Sequence, residues 1–237
     1  QFLKAKICSC EGTYYLNIGD YKSAKKCILK SINLYKKIEI CEELANTYIT
    51  YGNILLRSNS LKEAIEFYSK AFYISKQKEN KIIEGKVLIK LGYVFKNVRR
   101  LYLAVDHFRE AERVFQELNY KNGILKSLYE RANTYISLRM TKKANILIKK
   151  IKNMAQPNSK WRLFLNNLKY CLYNQNKKFT KALKSAQLLL KFFKQAMDRR
   201  GEAESLEKIA SSYYNLSKLD KSKKFGKKAL SIAKEIG

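Results

Sequence analysis

The residue types that most often carry catalysis are scarce in this chain. Its only histidine, His107, precedes Phe108 at a core position, and no serine or cysteine nucleophile is placed beside it by sequence. There is no glycine-rich phosphate loop, no His-x-x-x-His pair and no Asp-x-Asp motif. Adjacent acids such as Glu42 and Glu43 point to different sides of a helix. The sequence therefore predicts a protein that is not an enzyme and needs no cofactor.

The five cysteines also offer little chemistry. They are Cys8, Cys10, Cys27, Cys41 and Cys171, an odd number that matches no zinc spacing. On a helix, Cys8 and Cys10 would point about 200° apart, which is poor geometry for holding one metal ion. Small reduced cysteines are typical of intracellular proteins. We therefore expect no metal site and a cytoplasmic location.

The elements that must position any functional residue follow a forty-residue frame. Aligned on the small residue where two helices would touch, the anchors recur in steps of forty positions, except for one step of thirty-eight: Gly12, Gly52, Gly92, Ala132, Tyr170 and Ala210. A fixed period of this length is the signature of a repeat architecture. With 9 glycines and one proline, the chain has little turn material for a many-stranded sheet. The predicted fold is all-α, with about six antiparallel helix pairs stacked as a solenoid.

The predicted repeats form a single domain over residues 1–237. They lie near residues 5–40, 45–80, 85–120, 125–155, 161–198 and 203–237.

Ser60 and Glu63 are predicted to form a capping box, and Thr141 is predicted to cap another helix. Pro157 interrupts the helical pattern. No run of 18 apolar residues exists, so no membrane-spanning helix is expected. The chain starts without an initiator Met or a secretory signal, and we expect it to be a segment of a longer protein.

The frame resembles the tetratricopeptide repeat, which has a small residue at position 8, a bulky one at 11, Ala at 20, an aromatic at 24 and Ala at 27. The second and third repeats match well: Gly52, Leu55, Ala64, Tyr68 and Ala71, then Gly92, Phe95, Ala104, Phe108 and Ala111. The period of 40 rather than 34, without a closing proline, is similar to the long-helix branch found in signalling adaptors and peptide-sensing regulators. The resemblance covers essentially the whole chain. It implies a right-handed superhelix whose first helices line a concave groove that binds peptides or proteins.

The resemblance also implies which residues line that groove, namely those at positions 2, 5, 9, 12 and 13 of each repeat. The candidate peptide-binding residues are Asn46, Asn53, Arg57, Lys86, Tyr93, Lys96, Asn97, Lys126, Tyr129, Asn133, Asn167 and Asn174. An asparagine side chain can pair with peptide backbone through its donor and its acceptor. In peptide-binding relatives an asparagine directly after position 8, as at Asn53 and Asn133, clasps the peptide backbone. Cations in the groove would attract Asp, Glu or a C-terminal carboxylate. The alternative interpretation is that these polar residues only solvate an exposed face.

Charge is the strongest compositional signal. There are 49 Lys and Arg against 20 Asp and Glu, a formal net charge of +29. This predicts attraction to acidic partners such as nucleic acid, anionic lipid or acidic protein segments. Lysine clusters on predicted second helices, such as Lys142, Lys143, Lys149 and Lys150, form either a solvated outer face or a basic strip for nucleic acid. An AT-rich genome would also enrich lysine, so composition alone does not decide.

The sequence thus favours an intracellular interaction scaffold that binds a peptide or protein segment, preferably an acidic one, in the concave groove. Two alternatives stay open. One is a nucleic-acid-binding or nucleic-acid-associated protein that uses a basic convex surface. The other is the sensor domain of a peptide-responsive transcriptional regulator. The sequence names neither the partner nor the oligomeric state.

Overall fold

A computed structural model describes residues 1–39, 41–156 and 159–236, with Cys41 described by its backbone alone. Within these residues twelve α-helices follow one another without a β-strand. The helices are α1 (Phe2–Ile18), α2 (Tyr21–Lys37), α3 (Cys41–Arg57), α4 (Leu61–Gln77), α5 (Lys81–Asn97), α6 (Leu101–Glu117), α7 (Lys121–Ser137), α8 (Thr141–Met154), α9 (Lys160–Gln175), α10 (Phe179–Gln195), α11 (Arg199–Asn215) and α12 (Leu219–Glu235). The predicted all-α class is confirmed. Pro157, predicted to interrupt the pattern, lies outside the described residues.

Helix length and turn length together set the forty-residue period. Most helices, such as α2, α5 and α10, have 17 residues. They alternate with connections of mostly three residues, so that one helix and its turn fill half of the frame and a pair fills all of it. Helix α8 has only 14 residues and α9 has 16. The spacing of the small residues is therefore shorter at this point in the sequence.

A residue in the left-handed conformation closes most of these turns. Such residues recur every 20 positions over long stretches of the described chain: Gly19, Glu39, Asn59, Glu79, Arg99, Asn119, Arg139, Lys177, Met197 and Ser217. The next backbone N–H then donates to the carbonyl five residues back, as from Ser60 to Leu55 at 2.8 Å. This bond satisfies a carbonyl that the helix end leaves without a partner. These turns are therefore made by backbone geometry, and of those described here only the first has glycine at the left-handed position.

Two side-chain caps predicted from the sequence were wrong. Ser60 occupies the N-cap position of α4, but its side chain makes no capping hydrogen bond. Thr141 is the first residue of α8, and its hydroxyl donates instead to Asn176 Oδ1 at 3.3 Å. Three other N-cap side chains accept a backbone N–H of their helix: Asp20, Asn80 and Asp198. A polar side chain near the start of a helix can bond either to a backbone N–H group of that helix or to another polar group within reach.

The small residues of the frame lie where a large buried side chain of the paired helix crosses. A methyl group built on each of three glycines would come within 2.5 Å of that side chain. The paired helices therefore approach as closely as glycine permits, which is the prediction made for these positions. The pairs are Gly12 with Ile28, Gly52 with Tyr68, and Gly92 with Phe108.

A second glycine contact, not predicted from the sequence, joins consecutive repeats. Phe115 near the end of α6 packs against Gly123 in the first turn of α7. Phe193 near the end of α10 packs in the same way against Gly201 in the first turn of α11. In both places an aromatic ring and a glycine lie eight residues apart across a turn. The ring fills the space that the missing side chain leaves.

By its internal contacts the chain divides into two compact parts. We call them the N-terminal body, Gln1–Ser127, and the C-terminal body, Leu128–Gly237, and the boundary falls within α7. Each has apolar core residues of its own, around Ile54 and Tyr68 in the first and around Ala182 and Ile209 in the second. Across the described helices, none combines the length and apolar character that crossing a membrane requires.

Two glycines on helices allow the packing to be tested with one chemical change. Gly92→Ala should lower the free energy of unfolding, since the new methyl group overlaps the fully buried ring of Phe108. Overpacking costs about 1–3 kcal/mol, against about 1 kcal/mol gained from helix propensity. Gly226→Ala in α12, where nothing lies within 4 Å, should raise stability by about 1 kcal/mol. Urea unfolding followed by circular dichroism measures both. A stabilised Gly92→Ala variant would contradict the packing described here.

At the left-handed turns, in contrast, replacing a residue by glycine should stabilise the protein. Met197 has φ 53° and is 89% exposed, so its side chain loses no packing when removed. Met197→Gly should stabilise the protein by about 1 kcal/mol, because glycine adopts this conformation without a Cβ clash. Met197→Ala keeps the Cβ and should change stability by less than about 0.5 kcal/mol. Equal melting temperatures for the two variants would show that the turn carries no strain.

Candidate functional site

The first helices of the N-terminal body form a continuous layer, because α3 contacts both α1 and α5. Most of the predicted site residues of this body lie on that layer. Asn46, Arg57, Lys86 and Asn97 are exposed, and Asn53, Tyr93, Lys96 and Lys126 are half-buried. The face that they form, which we call the first-helix face, is polar and rich in lysine.

Tyr93 is the centre of a cationic cluster on this face. The ammonium groups of Lys90 and Lys126 lie 5.8 and 5.6 Å from the centre of its ring. Lys86 is one helical turn before Lys90, on the same side of α5. The sequence analysis predicted Lys86, Lys96 and Lys126 but missed Lys90, which lies at repeat position 6. We call these four lysines and Tyr93 the Tyr93 cluster.

The buried acid of the same helix is already compensated. Glu84 is only 3% exposed, and its carboxylate lies 2.7 Å from Lys76 Nζ and 3.7 Å from Lys81 Nζ. A buried carboxylate requires such partners, since an unpaired buried charge is highly costly. Glu84 therefore belongs to the packing between α4 and α5.

Two predicted ligand residues of α3 have partners within the fold. The hydroxyl of Tyr68 donates to Asn53 Oδ1 at 3.0 Å, which leaves the amide N–H groups of Asn53 as its remaining donors. Arg57 Nη1 donates to the carbonyl of Leu16 at 3.4 Å, in the last turn of α1. A cation is favourable at that helix end. Both side chains thus stabilise the layer as well as line it.

In the C-terminal body the predicted asparagines link neighbouring first helices. Asn167 Nδ2 donates to the hydroxyl of Tyr129 at 3.2 Å. Asn174 Oδ1 accepts from Asn215 Nδ2 at 3.4 Å. Asn133 is half-buried on α7. The recurrence of asparagine in this body therefore has a structural use, which the sequence analysis did not foresee.

A small cavity of about 150 Å³ in the C-terminal body is lined by residues of α7, α9, α10 and α11. Tyr129, which is 9% exposed, and Asn167 lie on its polar side. The other lining residues are mostly apolar: Leu163, Phe164, Leu189, Phe193, Glu204, Ser205 and Lys208. The lining is therefore mixed, with four apolar side chains beside several polar groups.

His107 and the cysteines have surroundings that suit packing. The ring of His107 stacks on Phe95 with 5.0 Å between centres and 5° between planes. Burial lowers the pKa of His107, and nearby Asp106 offsets this in part. Cys8, Cys10, Cys27 and Cys171 form no disulfide bond. In the described part of the chain, no three His, Cys, Asp or Glu side chains group as metal ligands would.

The buried tyrosines predict how stability depends on pH. Burial raises the pKa of Tyr68, so the folded protein keeps this hydroxyl protonated where an unfolded chain, with a pKa of about 10, would ionise it. The free energy of unfolding should therefore fall as pH rises above about 10. Tyr68→Phe should lose about 1 kcal/mol at neutral pH with its hydrogen bond to Asn53, but then decline less steeply.

Urea unfolding at about pH 8 and pH 10.5 measures this difference. Tyr73→Phe, at a tyrosine that is 63% exposed, is the matched control and should decline as the parent does. If all three proteins lost stability equally, the burial of the Tyr68 hydroxyl would not be the cause.

Comparison with known proteins supports the sequence resemblance. The tetratricopeptide repeat model matches residues 11–38, 45–78 and 203–236, which lie in the first, second and sixth helix pairs. No curated protein sequence matches the chain.

Solved structures share the fold at low sequence identity. BtubC (BKLC) from P. vanneervenii has a TM-score of 0.73 at 14% identity, over 91% of this chain and 90% of its own. The apo form of RapI has a TM-score of 0.77 at 12% identity, over 100% of this chain and 85% of its own. The Rap conjugation gene regulator of plasmid pLS20, solved with the Phr* peptide, has a TM-score of 0.66 at 16% identity, and this chain spans 64% of it. Three of the six helix pairs thus match the tetratricopeptide repeat, and the chain as a whole shares the fold of these solved structures.

Proposed function

We propose that this protein is an intracellular interaction scaffold that holds an acidic peptide or protein segment on the first-helix face of its N-terminal body. The observation that carries the proposal is the Tyr93 cluster, in which two lysines flank a half-buried aromatic ring and two more lie on the same face. Carboxylates form strong charge-assisted hydrogen bonds with ammonium groups. Acidic side chains are the natural ligands for such a group of cations.

The neighbouring residues suit an extended ligand. Asn46 and Asn97 are exposed on the same face, and each offers both a donor and an acceptor to a peptide backbone. The amide N–H groups of Asn53 serve the same purpose, with the carbonyl oxygen held by Tyr68. The face thus combines cations for side-chain selectivity with amides for backbone contact.

The shared fold adds support for a peptide ligand. A Rap regulator with this fold was solved with the Phr* peptide. By analogy, the chain can act as the peptide-sensing part of a larger regulator, the third interpretation of the sequence. The cavity at Tyr129 and Asn167 offers a separate place for one apolar side chain in the C-terminal body.

The test is a selection of random twelve-residue peptides displayed on phage against the whole chain at about 150 mM salt, where weak surface attraction is screened. Selected peptides should be enriched in Asp and Glu. Their dissociation constants, measured by isothermal titration calorimetry, should rise about tenfold or more for Lys86→Glu, since a charge-assisted contact contributes about 1.5–3 kcal/mol.

Lys62→Glu is the matched control. It makes the same charge change at an exposed lysine of the same body, on the second helix α4. It should change the dissociation constant by less than about threefold, which is below about 1 kcal/mol.

Asn46→Ala, at an exposed residue, tests the backbone contact without disturbing the core. Asn53→Ala is less suitable, because it also leaves the Tyr68 hydroxyl without its acceptor. Equal weakening by Lys62→Glu and Lys86→Glu would reject the first-helix face as the site.

A further inference from the structure

The two bodies differ sharply in how their charges are balanced. The N-terminal body contains 23 basic and 13 acidic residues, and the C-terminal body contains 26 and 7. Between Glu130 and Asp198 there are 16 Lys and Arg and not one Asp or Glu. The positive charge of the chain is therefore concentrated in its second half.

This asymmetry argues against compositional drift as the whole explanation. An AT-rich genome would raise lysine throughout, and basic residues are indeed common in both bodies. It would not remove every acid from residues 131–197 while leaving 13 in the N-terminal body. In that body several cations pair with acids on the surface, as Arg109 does with Asp106 and Arg113 with Glu110. A long segment without acids cannot form such pairs internally.

Nine of the 13 lysines of this segment lie on the second helices α8 and α10, and the next second helix, α12, carries six more. Every lysine of α8, α10 and α12 is exposed. These are the second helices of consecutive repeats, and stacked repeats place equivalent helices on one side. We call the exposed lysines of these three helices the basic face.

The lysines on the basic face are also regularly spaced. Each helix carries two of them seven residues apart, which is two turns or about 10 Å along one stripe. One such pair in each helix is Lys142 with Lys149, Lys184 with Lys191, and Lys221 with Lys228. Nearby, burial lowers the pKa of Lys169, and the charges of Lys152 and Arg162 lower it further. Lys152 of this face therefore lies near other cations of the same body.

From this arrangement we propose that the basic face binds the phosphate backbone of duplex nucleic acid without reading its sequence. Lysine offers a compact ammonium group that meets phosphate as a point charge. Neutralising phosphates releases the counterions condensed on the duplex, which drives such binding. Regularly spaced cations on rigid helices match a partner whose charges are also regularly spaced.

Other polyanionic partners fit the face less well. Single strands are bound by aromatic side chains on which bases stack, and Phe192, 39% exposed, is the only exposed aromatic residue in the described parts of α8, α10 and α12. A membrane surface would require apolar residues as well as charge. Exposed apolar residues such as Ile146 and Leu188 do occur there, but the N-terminal body has them too, for example Leu3 and Tyr102. Such apolar residues are therefore not specific to this face, whereas a long segment without acids occurs only in the C-terminal body.

The proposal is tested by fluorescence anisotropy with the whole chain and a labelled DNA duplex of about 24 base pairs, titrated between about 50 and 200 mM salt. The variant replaces Lys142, Lys149, Lys184 and Lys191 by Glu. The matched control replaces Lys22, Lys26, Lys30 and Lys62, exposed lysines of second helices in the N-terminal body, also by Glu. Both variants change the net charge equally, so that only the position of the charge differs. Circular dichroism checks that each remains helical, and the corresponding Gln variants replace any that does not.

The parent should bind two duplexes of unrelated sequence within about threefold of each other, because backbone contacts carry no sequence information. The variant should bind at least about tenfold more weakly. The slope of the logarithm of its binding constant against the logarithm of the salt concentration should become shallower by about 3 to 4. The control should lose less than about threefold in affinity. Equal losses in variant and control would reject a defined face, since net charge alone would then explain binding. Tighter binding to vesicles of phosphatidylserine mixed with phosphatidylcholine than to the duplex would reject nucleic acid in favour of an anionic membrane surface.

Discussion

The rest of the structure depends on the contact between a glycine and one large side chain across a helix pair. Where Gly52 faces Tyr68 and Gly92 faces Phe108, there is no room for even one more methyl group. This contact fixes both the separation and the rotation of the two helices. It thereby decides what the next residue does: Tyr93, directly after Gly92, touches Phe108 with its ring and still reaches the surface. A candidate site residue is thus positioned by the packing that precedes it.

The sequence was sufficient to predict this packing because its pattern is local and repeated. Small and bulky residues that return in step indicate which faces touch, and the helix bounds follow from the same period. The connections were less predictable. Residues such as Arg99 and Met197 adopt the left-handed conformation although nothing in their type requires it, since backbone hydrogen bonds at the helix end hold them there. The cap at Ser60 failed for a related reason: a polar side chain has several partners within reach.

The helices that carry the candidate site residues were predicted, but the hydrogen bonds of these residues were not. Asn53, Arg57 and Asn167 all lie on first helices, as expected, yet each bonds to a group 15 to 41 residues away in sequence. Such partners depend on side-chain conformations that no repeat pattern encodes. Lys90 was missed because family positions were used as the guide, whereas its proximity to Tyr93 follows simply from helical spacing. Reading each helix face in full would have found it.

The two proposed functions require different physical properties of the first-helix face and of the basic face. A peptide site needs a few groups held in place, and around Tyr93 the packing of α5 supplies this. A backbone-binding face needs many charges and little precision, which exposed lysines on rigid helices provide. The acid-free segment from 131 to 197 suits only the second purpose.

The recurring turns have a consequence for how such a chain can change over time. Because most connections of the described chain use the same backbone geometry and length, a repeat ends much as it began. Duplication or deletion of a whole forty-residue segment would therefore join compatible ends through a turn of the same kind. Substitutions within a repeat must satisfy tight contacts, while gain or loss of entire repeats meets far less resistance. The shared turn geometry therefore allows the number of repeats to change through unequal recombination.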